Sequence, residues 1–116
     1  MNHDAAARLL AEHPPIDLHA DTPSLMRVGY DFLRRHRPPL PRAALGFHVD
    51  LPRLRAGGFG GVFFGLVTSP IRFGERVESI ERHLLLVEET ARRTAGGLVA
   101  PPAAGDFAAA PGSGAD

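Results

Sequence analysis

Apolar and polar residues alternate from Ile16 to Asp21, so that an extended strand would carry Ile16 and Leu18 on one face and Asp17, His19 and Asp21 on the other. Thr22-Pro23 follows, and because proline cannot donate to a sheet ladder the strand is expected to stop there. Ahead of it, residues 4–12 read as a short helix ended by Pro14-Pro15. Behind it, Leu25, Val28 and Phe32 recur at near-helical spacing with Arg27, Arg34 and Arg35 outside them, which predicts a helix over 24–35. Residues 50–56 predict a short helix capped by Asp50 and closed by Gly57-Gly58. Gly60-Gly61 then delivers the chain into Val62-Phe63-Phe64-Gly65-Leu66-Val67, a continuous apolar run of the kind that parallel sheets bury on both faces.

Residues 75–95 carry the clearest helical pattern. Val77, Ile80, Leu84, Val87 and Ala91 recur at three- and four-residue steps, and Glu78/Arg82, Glu88/Arg92 and Glu89/Arg93 are i,i+4 pairs with the acid first. A coiled-coil seam has the same spacing, but a strand partner is at hand, which favours a helix packed on a sheet. His83 lies beside the stripe and reads as a partly exposed helix residue. Gly96-Gly97 ends the helix, and Leu98-Val99 could form a brief extended piece. Strands alternating with helices predict a parallel α/β architecture. Three regions result: an N-terminal helical extension over 1–14, β/α units over 15–100, and a small-residue tail over 101–116 expected to fray.

With 116 residues and 44% hydrophobic content, one small domain is the limit. The 13 basic and 13 acidic side chains cancel, so no global field recruits nucleic acid, anionic membrane or acidic substrate. Arg34-Arg35-His36-Arg37 runs into Pro38-Pro39-Leu40-Pro41 without interleaved aromatics, which indicates a solvated connector rather than a nucleic-acid grip. The glycine run precedes a strand instead of joining strand to helix, and no Gly-Lys-Ser/Thr follows, so it is not a phosphate loop. Charges interrupt residues 1–13 too often for a signal peptide, and the longest apolar stretch falls short of the ~20 residues that span a bilayer. A soluble, cytoplasmic protein without a membrane partner is the expectation.

Cysteine is absent, which removes disulfides and thiolate chemistry and leaves His, Asp and Glu as the strong metal ligands. His19 and Asp21, two apart at the end of a strand, are placed for an imidazole nitrogen and a carboxylate oxygen to converge on one divalent ion. The plainer alternative is a strand end whose polar groups meet solvent or cap the next helix. A second triplet, His48-Val49-Asp50, shows how common the pattern is, and there the N-cap reading of Asp50 is the better one.

Asp17-Leu18-His19-Ala20-Asp21-Thr22-Pro23, followed by residues 48–64 (HVDLPRLRAGGFGGVFF), resembles the two opening signatures of the membrane (renal-type) dipeptidase family of zinc peptidases. The similarity spans roughly residues 15–95. It departs at Val62-Phe63-Phe64, where that family often has a Gln-Phe-Trp-like strand. The resemblance implies the N-terminal part of a metal-dependent-hydrolase-like (β/α)8 TIM barrel, incomplete here because a whole barrel needs about 250 residues. It further implies a dinuclear zinc site in the intact family, with His19 and Asp21 on the more buried ion, a dipeptide substrate, and a possible homodimer of the intact enzyme. The family's bridging Glu, later His ligands, substrate-binding Arg and late Asp find no counterpart here. Glu75, Glu78, Glu81, Glu88 and Glu89 cannot replace them, since they belong to a helix on the barrel's outside. The chain is therefore expected to be a truncated or frame-shifted dipeptidase fragment, inactive alone. The competing expectations are a small non-catalytic α/β binding or regulatory module and an interaction piece that uses the Val77–Ala91 stripe.

Overall fold

The computed structural model describes residues 3–37, 47–68, 74–100 and Asp106. Their elements, in chain order, are α1 (His3–Glu12), β1 (Ile16–Ala20), α2 (Thr22–Met26), α3 (Leu51–Ala56), β2 (Gly61–Phe64) and α4 (Arg76–Arg92). The chain is thus mixed α/β. β1 and β2 pair in parallel, Ile16 opposite Gly61, Asp17 opposite Val62 and Ala20 opposite Phe64. Between Asp17 and Ala20 the register slips, so β1 carries a bulge where strict alternation would have run through Leu18 and His19. Inside the bulge the His19 amide donates to Asp17 Oδ1 at 3.0 Å. Backbone bonds from Gly60 N to Pro15 O and from Gly65 N to Ala20 O, both 2.9 Å, carry the pairing past each end of the ladder.

The predicted helix over 24–35 stops at Met26. Gly29 takes φ +94°, and the Gly29 and Tyr30 amides donate to Met26 O and Leu25 O at 3.1 Å, the paired bonds of a Schellman stop. The turn sends Tyr30 and Phe32 inward, where with Met26 and Leu51 they form the buried core. Phe32 meets Phe64 edge-on at 5.3 Å, which ties this segment to β2. The same stop closes α3: Gly58 takes φ +70°, its amide donates to Arg55 O, and the Phe59 amide donates to Leu54 O. Here glycine stood where the pattern expected an end, and the two agree.

β2 ends at Phe64, short of the predicted Val67, and it is not buried on both faces: Phe63 is 56% exposed. A cleft of about 500 Å³ among β2, α3 and α4 explains this. Leu84, Val87 and Ala91 line that cleft together with Leu54, Phe64 and Leu98, so this part of the predicted stripe faces β2 across a gap instead of packing on it. Leu98-Val99 forms no strand. The Pro38–Pro41 connector lies outside the described residues, as does the tail over 101–116 apart from Asp106.

α4 is rotated relative to the expectation because its neighbour is α2. Arg27 donates to Ser79 Oγ at 2.6 Å, and α4 buries His83 and Thr90 while Val77 faces solvent. Thr90 satisfies its hydroxyl on Leu86 O at 2.7 Å. His83, expected to be partly exposed, is 1% exposed, and neither ring nitrogen has a hydrogen-bond partner. Burial lowers its pKa below the ordinary 6.5, and the Arg27 charge lowers it further. The unfolded chain therefore binds this proton more readily, and stability is lost as pH falls from about 6.5 toward the lower folded-state value. His83→Leu is expected to raise stability by about 1 kcal/mol or more, by removing unpartnered buried polar atoms. Urea melts at pH 7.5 and pH 5.5 check both points: the variant's stability should fall less between the two pH values than that of the wild type.

Among the described residues, no helix is long and apolar enough to cross a membrane.

Candidate metal centre

His19 is near the end of β1, and Asp21 follows the last strand residue and occupies the N-cap position of α2. A capping aspartate spends its carboxylate on the first-turn amides. Asp21 does not: it makes no side-chain cap bond, and the Ser24 amide donates to its backbone carbonyl at 3.1 Å instead. Pro23 at the start of α2 removes one amide that would have competed for the side chain. The carboxylate turns back over the strand end, where Oδ1 lies 3.2 Å from His19 Nε2.

This pair is 72% (His19) and 52% (Asp21) exposed, so water and salt screen it and folding gains little from it. Stability does not account for the arrangement. An imidazole nitrogen and a carboxylate oxygen that share one small volume at the C-terminal rim of a parallel strand are a donor set suited to zinc. They supply two ligands of the four that a tetrahedral ion takes. Asp17, predicted on the same face, is engaged with the His19 amide inside the bulge. Among the described residues no group of three or more His, Asp or Glu is placed to hold a metal. The glutamates Glu78, Glu81, Glu88 and Glu89 lie exposed on α4.

The floor of the site is Gly65, one residue past β2. A Cβ there would stand 2.4 Å from Asp21 Oδ1 and 3.1 Å from His19 Cε1. Sequence reading passed over this glycine as part of an apolar strand. A glycine inside a strand pattern is a known sign of close approach by another group, and that signal was available.

No family model, curated protein or solved structure matches the chain.

The second triplet has a structural role. Asp50, wholly buried, accepts from the amides of His36 (2.9 Å) and Arg53 (2.9 Å) and from Arg53 Nε (2.8 Å). Burial alone would raise its pKa, but the two amides and the Arg53 guanidinium outweigh it and hold the carboxyl below the ordinary 3.8. Arg53 also reaches Phe47 O, and Tyr30 donates its hydroxyl to Val49 O at 2.7 Å while stacking on His36. The cluster fastens the segment before α3 to the core beneath β1 and β2.

Proposed function

We propose that this chain is the opening portion of a metal-dependent hydrolase of the dipeptidase type, whose first β/α units belong to a barrel. One observation carries the reading: His19 Nε2 and Asp21 Oδ1 lie 3.2 Å apart at the C-terminal rim of a parallel strand, with the cap role of Asp21 left unused. β/α barrels keep their chemistry at that rim. The order of the two motifs, residues 17–23 and 48–64, supports the dipeptide as substrate.

In this reading His19 and Asp21 hold one zinc ion. When bound, it supplies a Lewis acid for the scissile carbonyl and acidifies water near neutral pH. The chain's own contribution is positional. The bulge sets the direction of His19, the turn into α2 brings Asp21 back over the strand, and Gly65 leaves room for both. Remaining ligands, a bridging glutamate and further histidines, come from outside these residues. The 116 residues alone are therefore expected to cleave dipeptides no faster than buffer.

The coding sequence beyond codon 116, read together with zinc binding by the chain, tests the proposal. An open frame encoding a glutamate-bearing strand and two histidine-bearing strands, together with zinc uptake that depends on His19, supports it. A stop codon and no zinc uptake overturn it in favour of a small non-catalytic module.

A further inference from the structure

We infer that Gly65 is a positioning residue of the His19–Asp21 site, required for the space above its Cα and not for its backbone conformation. The inference rests on the metal-site reading for its purpose, but its geometric content stands without a metal. Gly65 does not occupy the positive-φ region that Gly29, Gly58, Gly74 and Gly96 use, so an L-residue could take its backbone angles. Its amide is held on Ala20 O at 2.9 Å, which fixes its Cα beneath the end of β1. From there an added Cβ would come within 2.4 Å of Asp21 Oδ1, the same oxygen that faces His19 Nε2. It would also press on His19 Cε1 at 3.1 Å, a tight contact on the other partner.

The consequence is selective. Asp21 is half exposed, so a methyl group at 65 drives its carboxylate outward into water without opening a void or burying a charge. A purely structural glycine would behave differently, because its replacement would lower stability whatever became of the pair. Gly65→Ala should leave folding nearly intact and separate Oδ1 from the imidazole. Support for a ligand's orientation is typically worth 10- to 100-fold in metal affinity, and a loss of about that size is expected here.

The experiment uses the full chain as wild type, Gly65→Ala and Asp21→Ala. In metal-free protein, long-range 1H–15N spectra report the His19 ring. Zinc titration by calorimetry reports affinity, and thermal melts report stability. The inference predicts that the His19 ring signals of Gly65→Ala move from the wild-type positions to those of Asp21→Ala, with the melting temperature lowered by no more than about 3 °C, on the order of 0.5 kcal/mol. Wild-type ring signals in Gly65→Ala overturn it, and so does a melting temperature that falls in step with the ring change. If the wild type takes up no zinc, the metal reading fails while the ring signals still decide the role of Gly65. If it does take up zinc, equal affinity in Gly65→Ala overturns the role in binding.

Discussion

Replacing Asp50 by alanine is expected to lower the stability of the chain by about 2–4 kcal/mol, from the loss of an N-cap and of a buried charge partner together. The His36 amide and Arg53 Nε lose their carboxylate acceptor, and the Arg53 amide loses it too while keeping Asp50 O at 3.1 Å. Arg53 is 25% exposed and can recover some hydration, which keeps the loss below that of a fully enclosed ion pair. Such a loss is a large share of what a small domain has. Asp50→Asn retains an acceptor for the first-turn amide and should lose clearly less. Because the folded-state pKa is below 3.8, the stabilisation is complete above that value and disappears as pH falls through the lower folded-state value. Urea denaturation followed by circular dichroism at pH 7 and pH 3 measures both effects. Equal midpoints for wild type and Asp50→Ala at pH 7 would remove Asp50 from the account of the fold.

The second large effect concerns zinc. His19→Ala and Asp21→Ala each leave a single protein ligand at the rim, and one ligand does not compete with water for the ion. Each variant is expected to reduce zinc affinity at this site at least tenfold, while the melting temperature stays close to that of the wild type because the exposed pair adds little to folding. Competition with a coloured zinc chelator provides the measurement. Undiminished affinity in both variants would mean that zinc is held elsewhere on the chain.

What could be read in the sequence was what local chemistry decides. The cap at Asp50 and the glycine stop after Ala56 follow from neighbours within a few residues and are found where expected, whereas the buried strand expected over Ile16–Asp21 ends at Ala20 and leaves Leu18 74% exposed. His19 and Asp21 are two apart in sequence and their side chains meet at 3.2 Å, but the bulge in the β1–β2 pairing and the space above Gly65 also shape that contact. The helix after β1 was misread because the spacing of Leu25, Val28 and Phe32 fits a helix, although Gly29 interrupts it in the left-handed region. Phe32 is buried, but it gets there through a turn.

The long helix shows where local pattern runs out. Its extent follows from composition and spacing, yet which face is buried depends on packing against α2, far away in sequence, where Arg27 donates to Ser79. His83 is buried, and Leu84, Val87 and Ala91 lie on the cleft. Of the predicted ion pairs, Glu78 with Arg82 forms, whereas Arg92 takes Glu89 at 3.0 Å and Arg93 reaches Asp31 at 3.7 Å. Gly65 stands out in the sequence as a glycine within a strand pattern, but which groups approach it appears only when parallel pairing lays it under the end of β1.

The most direct measurement is a zinc titration of the full chain in which the ring signals of its six histidines are followed individually by NMR. The account predicts that His19 responds at the lowest zinc concentrations, that its response vanishes in Asp21→Ala, and that His83 is unmoved. Early changes at other histidines with His19 unaffected would contradict it.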